Sequence, residues 1–484
     1  MRERLKTFHN LPQTAWIYGL LALFITFHYL LVYAERFLIW SGHEPVFNAL
    51  RMLHALLIIL LLLLLALMLR RGMAPEFWLL AAYSAWVLIT RVINRDFTLY
   101  GSLYFSAVCA AVFAAGAFLR PQQRRRLLKC FVVPLDVYLF ILSALGLLVW
   151  FGGEDRYPFL AAFINTNPFN SFLNIEFFNT VHNMSAAWFL VSLFLSAYAW
   201  TACRDRRWRI PLAIHMAMMY IMIALQHCRS VQVACSVGAG MLAVLALLPR
   251  LREQKAAVRV IAVILAAALG LLISFRGLSL CGDVFAKGMA ISQRDIQEHE
   301  RLLEEQRRAA AQTETVPPAE IAPAAVETAP PSGSDARSFL HDALTLTERT
   351  EIWKAAIRLV REDRSVALFG QREETMMEAV NSRGHYIEVK QHTHNMLIQA
   401  LVLTGVPGAL LLLAFVCLQL VRMIRYYFES DKKTETAVKV LLVLPAVLLV
   451  YGIAEVLLDR LVGFASLSYL LTAGIFTQYA RRAS

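Results

Sequence analysis

A histidine and an asparagine, His394 and Asn395, stand where a long hydrophilic segment gives way to an apolar one. Histidine titrates near neutral pH, so His394 could exchange a proton with a substrate hydroxyl. Asn395 is of a residue type that caps the first turn of a helix. His392 would point the same way as His394 if the backbone were extended. Taken alone, these residues fit a loop followed by an ordinary apolar helix with a kink at Gly405–Pro407 better than they fit a catalytic site.

Three arginines are candidates to supply positive charge near this histidine. Arg229 lies in a very short hairpin between two apolar runs, where an arginine is costly unless it meets a counter-charge or water. Arg349 opens a segment of helical pattern that continues through Trp353. Arg276 stands where the long hydrophilic segment begins.

The apolar runs around these residues are long enough to cross a membrane. The chain has 484 residues, of which 58% are hydrophobic and only 17% are charged. A soluble chain carries roughly 25% charged and 45–50% apolar residues. The sequence therefore predicts an all-α polytopic membrane protein of about 12 transmembrane helices, each of about twenty residues. The predicted spans lie near 14–34, 49–69, 75–93, 99–119, 130–151, 183–203, 210–226, 230–248, 258–275, 395–421, 438–458 and 461–479.

Basic residues alternate between the segments that connect these spans. Every second segment, beginning with the N-terminus, is rich in lysine and arginine, with 25 in total against seven in the short segments between them. Cytoplasmic segments carry such an excess, so both termini are predicted to be cytoplasmic. The net charge of +12 is mostly this orienting charge, so it does not indicate nucleic-acid binding.

Three regions follow from this pattern. Residues 1–275 are predicted to form a membrane domain with nine helices, and residues 395–484 a membrane domain with three. Between them, residues 276–394 form a large, partly helical extracytoplasmic loop. Within the loop, apolar residues recur at helical spacing over 335–364. The Pro- and Ala-rich tract 313–334 is predicted to be a disordered linker.

Polar residues inside the predicted spans have simple explanations. Asp136 and His215 more often make helix–helix hydrogen bonds in such positions than they catalyse reactions. The seven cysteines show no C-x-x-C spacing, which indicates buried thiols rather than a disulfide framework or a zinc site.

Taken in order, the local sequences resemble the O-antigen ligase and O-antigen polymerase superfamily of bacterial envelope glycosyltransferases. Members have a short S-R-small turn, then a large periplasmic loop with R-x-x-x-W and a glycine-rich step. A histidine–asparagine pair at the start of the next helix and a downstream G-x-x-G complete the pattern. The corresponding residues here are Cys228-Arg229-Ser230, Arg349 and Trp353, Gly370, His394-Asn395, and Gly405 and Gly408.

Two positions depart from the family's pattern. Cys228 stands where the family has serine, and this change is expected to be tolerated. Gln371-Arg372 stands where a second glycine usually follows Gly370, which leaves the path of the loop open at this point.

The resemblance implies that a GT-C-like membrane protein transfers a glycan from an undecaprenyl-diphosphate carrier to an acceptor hydroxyl, without a metal or other cofactor. The departing diphosphate would need cations, and arginine forks bind phosphate oxygens bidentately. Arg229 and Arg349 are the first candidates for this role, and Arg276 is the third. His394 would be the general base that deprotonates the acceptor hydroxyl. His392 is a further candidate for substrate binding.

The implied partners are the undecaprenyl-diphosphate-linked glycan donor, a glycan or lipid-core acceptor, and the lipid bilayer. The implied location is the bacterial cytoplasmic (inner) membrane. The acidic residues of the loop are dispersed and include no D-x-D pair beside a histidine, so no metal site is predicted. The sequence has no P-loop, dinucleotide-binding glycines or nucleophile elbow, which disfavours nucleotide-sugar or ATP-driven chemistry.

Several alternatives stay open from the sequence. A ligase, a repeat-unit polymerase and a protein O-glycosylating relative share the donor chemistry and differ in the acceptor. A polytopic transporter or flippase of lipid-linked glycans would also suit twelve spans, although the two halves show no convincing repeat. Charged residues at the outer ends of two spans could bind substrate, snorkel to the interface or pair with one another. They are Arg91 and Arg95 after the third span, and Glu455, Asp459 and Arg460 after the eleventh.

Overall fold

The computed structural model describes residues 74–95, 121–152, 183–203, 205–226, 228–247, 257–284, 347–384, 393–429, 436–458 and 464–483, with scattered positions between 19 and 60, 109 and 117, and 250 and 255. These described residues form helices and turns, and no strand occurs among them. The predicted spans near 14–34, 49–69 and 99–119 fall largely outside the described ranges, and the tract 313–334 falls wholly outside them.

The main helices of the described ranges are numbered here in chain order. The first six are α1 (Pro75–Ile93), α2 (Pro121–Gly152), α3 (Asn183–Ala202), α4 (Arg209–Leu225), α5 (Arg229–Leu247) and α6 (Ala257–Val284). Three shorter ones follow, α7 (Thr347–Glu362), α8 (Arg364–Phe369) and α9 (Glu373–Asn381). The last are α10 (Met396–Glu429), α11 (Thr436–Ala454) and α12 (Phe464–Ala483).

Seven described helices are long and apolar enough to cross a membrane, namely α1, α2, α4, α5, α6, α10 and α11. Helices α3 and α12 contain shorter apolar stretches, Ala186–Ala202 and Ala465–Thr477. The prediction of an all-helical protein with several membrane spans is confirmed for the described residues. The total of 12 spans stays a prediction.

Helix α11 is the central helix of the bundle. Its sequence is apolar on all sides, which is typical of a helix surrounded by other helices. It packs against α3, α5, α10 and α12 and buries most of its residues. Helix α6 is the opposite case, because its large apolar side chains, such as Ile264 and Leu272, are exposed and suit lipid contact. The residue that follows α11, Glu455, therefore stands at the end of a helix that packs against four others.

The short helices α7, α8 and α9 form one amphipathic unit that packs on the first half of α10. We call residues 347–384 the loop unit, and the end of the bundle where it lies the loop end. Its apolar side chains form a small core with two residues of α10. The members of this core are Ala355, Ala356, Leu359, Val360, Val366, Met376, Val380, Val402 and Leu403.

Two glycines allow the loop unit to cross α10 at backbone contact. Gly370 and Gly405 have φ angles of +72° and +69°, in the left-handed region that favours glycine. A Cβ atom on Gly370 would lie 2.2 Å from the carbonyl carbon of Leu403, and one on Gly405 would lie 2.6 Å from that of Leu368. Helix α10 is interrupted at Gly405, two residues before Pro407. Both glycines are therefore required by the same crossing.

The segment after Gly370 follows a path that needs no second glycine. The backbone N–H of Gln371 donates to the carbonyl of Val402 at 2.7 Å, and its side-chain amide lies 3.2 Å from the Thr375 hydroxyl. The side chain of Arg372 donates through Nε to the carbonyl of Asn94 at 2.5 Å. Neither Gln371 nor Arg372 has a positive φ angle, so the departure from the family's pattern is accommodated without backbone strain.

A buried polar network joins α2, α3 and α4. The carboxylate of Asp136 accepts hydrogen bonds from the hydroxyls of Ser192 at 2.7 Å and Ser196 at 2.6 Å. The Nε2 atom of His215 lies 2.8 Å from the Ser192 hydroxyl and 3.3 Å from the Asp136 carboxylate. The helix–helix hydrogen bonds expected for Asp136 and His215 are present.

Replacing Ser192 with alanine is expected to lower the stability of the purified protein by about 1 kcal/mol, because the hydroxyl that connects Asp136 with His215 is lost. Thermal unfolding in detergent measures this, and Ser365→Ala on the exposed surface of α8 is the control. An unfolding temperature equal to that of the wild type would show that the network contributes nothing to stability.

Candidate functional site

Glu455 lies at the loop end, directly after α11, and is only 1% exposed. The guanidinium of Arg349 contacts its Oε1 atom at 2.7 Å, and Nδ1 of His394 lies 3.2 Å from its Oε2 atom. A buried carboxylate is unfavourable unless it is paired and hydrogen-bonded, and these two side chains meet that requirement. We call Arg349, His394 and Glu455 the loop-end cluster.

The loop-end cluster is tied to the end of α11. The last carbonyls of a helix have no partner within it and carry partial negative charge. The second terminal nitrogen of Arg349 donates to the carbonyl of Ala454 at 2.6 Å, and the side-chain amide of Asn395 donates to that of Ile453 at 2.8 Å. Arg349 therefore caps the end of α11 and pairs with Glu455 at the same time.

His394 has a backbone conformation that is uncommon for residues with a side chain. Its φ angle is +54°, and such a residue persists only where its surroundings determine it. The indole N–H of Trp353 donates to the carbonyl of Thr393 at 2.9 Å. The Gln399 side-chain oxygen accepts from both the backbone N–H and the hydroxyl of Thr393, each at 3.1 Å. These contacts fix the residue before the histidine and so determine where the imidazole points.

Asn395 caps α10, as the sequence indicated. Its side-chain oxygen accepts from the backbone N–H groups of Leu397 at 2.9 Å and Ile398 at 3.0 Å. Ser, Thr, Asp and Asn caps satisfy the otherwise unpaired N–H groups of the first turn. Asn395 thus begins the apolar helix α10, and His394 lies directly before this start.

The spacing of the R-x-x-x-W motif also has a structural explanation. Arg349 and Trp353 are four residues apart on α7, which places them on the same face of the helix. From that face Arg349 reaches Glu455, and Trp353 reaches the residue before His394. One motif residue therefore contacts the glutamate of the loop-end cluster, and the other contacts the segment that carries its histidine.

Cys228 and Arg229 approach the cluster from the hairpin between α4 and α5. Burial raises the pKa of the Cys228 thiol to about 11, and the charge of Glu455 adds to this, while a hydrogen bond with Ser230 and the charge of Arg349 oppose it. Cys228 therefore lies within the electrostatic field of the cluster, and its burial disfavours the reactive thiolate. Arg229 is the first residue of α5 and is exposed.

The other predicted residues have different positions. Helix α6 continues to Val284, beyond the predicted end of its span, so Arg276 lies on an exposed helix surface rather than at the start of the loop. Its neighbour Ser274 contacts α4, where it accepts a hydrogen bond from the Tyr220 hydroxyl at 2.7 Å. His392, Asp459 and Arg460 lie outside the described residues.

Glu455 is the residue whose role the sequence left undecided. Its signal was an acidic residue directly after a strongly apolar span, which also fits an interfacial side chain. The structure removes that alternative, because Glu455 is buried and paired. Arg91 does not snorkel either, since it is buried in an ion pair with Glu373 at 3.0 Å.

The loop-end cluster has the parts of a proton-accepting site. A carboxylate can only accept a hydrogen bond, so Nδ1 of His394 is the donor in its contact with Glu455. In the neutral imidazole with this tautomer, Nε2 has a lone pair for an incoming proton. The carboxylate also stabilises the imidazolium that would form. The imidazole side chain is 29% exposed, so a substrate can reach it. Among the described residues, no group of three or more His, Cys, Asp or Glu is arranged to hold a metal ion.

Residues 211–413 match the family model described as O-antigen ligase. The matched region begins in α4 and includes Arg229, Arg349 and His394, together with the crossing glycines Gly370 and Gly405. The resemblance to the O-antigen ligase superfamily that the motifs indicated is confirmed. Glu455 lies beyond the matched region. No curated protein matches the chain.

Proposed function

We propose that this member of the O-antigen ligase superfamily transfers a glycan from an undecaprenyl-diphosphate carrier to an acceptor hydroxyl, at the outer face of the bacterial cytoplasmic membrane. The observation that carries the proposal is the contact of His394 with Glu455 at 3.2 Å, beside Arg349. Exchange of a diphosphate for a hydroxyl needs a base, a group that orients the base, and cations for the leaving group.

His394 is the base in this proposal. Its Nε2 atom accepts the proton of the acceptor hydroxyl, while Nδ1–H remains bonded to Glu455. The acceptor oxygen forms a bond to the anomeric carbon of the donor, and the bond from that carbon to the diphosphate oxygen breaks. The electron pair leaves with the undecaprenyl diphosphate. General-base catalysis of this kind contributes about 10²- to 10⁴-fold in rate.

The arginines neutralise the diphosphate. Arg229 is exposed at the first position of α5, where the helix N-terminus also favours an anion. Arg349 contacts Glu455 and Ala454 through its two terminal nitrogens, and a guanidinium has five N–H donors, so further donors can reach a phosphate oxygen. Arg276 and His392 stay candidates for the same substrate, with less support than Arg229.

Arg229→Lys is expected to lower kcat/KM by about 10- to 100-fold, because lysine keeps the charge but cannot bind two phosphate oxygens with a planar fork. The rate of glycan transfer from a purified lipid-linked donor measures this. Arg95→Lys is the matched control, since Arg95 is also an exposed arginine at the loop end. Unchanged turnover in Arg229→Lys would exclude the diphosphate role of Arg229.

A flippase of lipid-linked glycans is the second candidate function. The buried network of Asp136, Ser192 and His215 favours it, because transporters place polar groups among their spans. Both carboxylate oxygens of Asp136 already accept from serine hydroxyls, however. The transferase is favoured because the accessible ionisable group, His394, lies at the loop end and is oriented for proton transfer.

The acceptor separates the remaining alternatives within the transferase class. A ligase uses lipid A core or another terminal acceptor, a polymerase uses a second lipid-linked repeat unit, and a protein O-glycosylating enzyme uses a serine or threonine. Offering the purified protein these acceptors one at a time, with the same lipid-linked donor, distinguishes them.

A further inference from the structure

Arg91 and Glu373 form a second buried ion pair at the loop end, where the loop unit meets α1. The guanidinium and carboxylate are 3.0 Å apart, and their side chains are only 6% and 2% exposed. When one partner of such a pair is removed, the other is left as a buried, uncompensated charge.

Further contacts surround this ion pair. The side-chain amide of Asn94 donates to the carbonyls of Phe369 at 3.0 Å and Gly370 at 3.2 Å, in the turn between α8 and α9. The indole of Trp86 stacks on Phe369, with ring centroids 6.2 Å apart, and its N–H donates to the carbonyl of Thr404 at 2.8 Å. The end of α1 therefore holds the crossing of the loop unit over α10 from one side.

The loop unit transmits this attachment to the loop-end cluster. Its small core joins α9 with α7, and the guanidinium of Arg358 on α7 donates to the carbonyl of Arg383, just after α9, at 3.0 Å. Helix α7 in turn carries Arg349 and Trp353, which contact Glu455 and the residue before His394. A shift of α9 relative to α1 would therefore displace Arg349 from Glu455 and Trp353 from the residue before His394.

We propose that Arg91 and Glu373 are positioning residues for glycan transfer. Their ion pair, which we call the latch, attaches the loop unit to α1. This attachment holds Arg349 and Trp353 in their contacts with Glu455 and with the residue before His394. The effect on turnover rests on the proposed function. The effect on the loop unit rests on the contacts alone. The sequence separation of 282 residues explains why the pair could not be recognised from the sequence.

The test uses the full-length protein in lipid nanodiscs, with two independent measurements. Hydrogen–deuterium exchange of residues 349–362 reports on α7 of the loop unit, and exchange of residues 393–402 reports on His394 and the start of α10. Steady-state transfer reports kcat and donor KM. The variants are Arg91→Ala, Glu373→Ala and the charge exchange Arg91→Glu with Glu373→Arg. Arg364→Ala and Glu374→Ala are matched controls, because each removes an exposed charge of the loop unit outside the pair.

We expect faster exchange in both segments of the alanine variants. We also expect a fall in kcat of on the order of 100-fold with a much smaller change in donor KM, because displacement of reacting groups by about 1 Å has such an effect. The charge-exchanged variant regains part of the slow hydrogen exchange and part of the kcat of the wild type. The controls behave as the wild type in both measurements. Glu373→Gln, which keeps the size and an acceptor oxygen, shows the same changes to a lesser degree and serves if the alanine variants do not fold.

Four results would count against the proposal or its premise. If hydrogen exchange in Arg91→Ala is as slow as in the wild type, the ion pair does not hold the loop unit. Glu373→Gln serves for this comparison if Arg91→Ala does not fold. Faster exchange with unchanged turnover per folded molecule overturns the positioning role, and so does a charge-exchanged variant that regains neither quantity. If the wild-type protein transfers no glycan, the proposed function fails, and the exchange measurement still decides whether the latch exists.

Discussion

Replacing His394 with alanine is expected to reduce glycan transfer by about 10²- to 10⁴-fold, because the acceptor hydroxyl loses its general base. The protein should still insert into the membrane, since the cap of α10 by Asn395 and the anchoring of Thr393 by Trp353 are retained. Release of undecaprenyl diphosphate from a purified lipid-linked donor, in the presence of an acceptor, measures the loss.

The backbone of His394 requires a second variant as a control. The left-handed region costs about 1–2 kcal/mol for any residue with a Cβ atom, but only histidine is held there by a contact with Glu455. Part of the loss in His394→Ala could therefore come from a displaced backbone. Asparagine adopts this region more readily and has no group that accepts a proton near neutral pH. We expect His394→Asn to be as inactive as His394→Ala and more stable. Full activity in His394→Asn would remove the general-base assignment.

Glu455→Gln is expected to lower kcat by on the order of 10³-fold, with little change in overall size or packing. A glutamine cannot stabilise an imidazolium, and its amide can donate to Nδ1 of His394, which would favour the tautomer that has no lone pair on Nε2. It also leaves the guanidinium of Arg349 beside a neutral partner. Single-turnover transfer with saturating donor measures the chemical step separately from donor binding.

Two further variants define the role of Glu455. Glu351→Gln on the exposed surface of α7 also removes a carboxylate of the loop unit and should leave transfer unchanged. The double variant His394→Asn with Glu455→Gln should be little worse than His394→Asn alone, because both act on one proton transfer. If Glu455→Gln turned over as the wild type does, the carboxylate would serve only to cap and pair the end of α11.

The elements of the fold that the sequence predicted best are those set by hydropathy. The span predicted at 75–93 is helix α1, Pro75–Ile93, because its apolar run is bounded by a proline and a turn. Hydropathy located α6 but not its end, since a helix can continue past the apolar stretch through Arg276 to Val284. The position of Asn395 at the start of α10 followed from its capping chemistry alone.

The contacts of the site followed from the sequence only in part. His394 and Arg349 both contact Glu455, which lies 61 residues beyond the histidine. No local pattern relates residues at that separation, so its pairing depended on the packing of α11. The same holds for the positive φ angle of His394, which follows a residue, Thr393, that is held by Trp353 and Gln399 from other turns of the structure.

The two glycines of the family's pattern could be identified in the sequence, but their structural role could not. Gly370 and Gly405 lie 35 positions apart and look like independent turn signals in the sequence. In the structure each has a left-handed backbone, and each would clash at the same crossing if it carried a side chain. The variant position Gln371 tolerates a side chain because only its backbone N–H takes part in the crossing contact.

The most direct test of the proposed function is reconstitution of the purified protein with an undecaprenyl-diphosphate-linked repeat unit, in the presence of a metal chelator. Lipid A core, a second lipid-linked repeat unit and a serine- or threonine-containing peptide are offered in turn as acceptors. We predict that the wild type releases one undecaprenyl diphosphate for each glycosylated acceptor, and that His394→Asn releases it about 10²- to 10⁴-fold more slowly. The contradicting result would be a wild-type protein that binds the lipid-linked glycan or moves it across the bilayer while the bond between sugar and diphosphate stays intact with every acceptor.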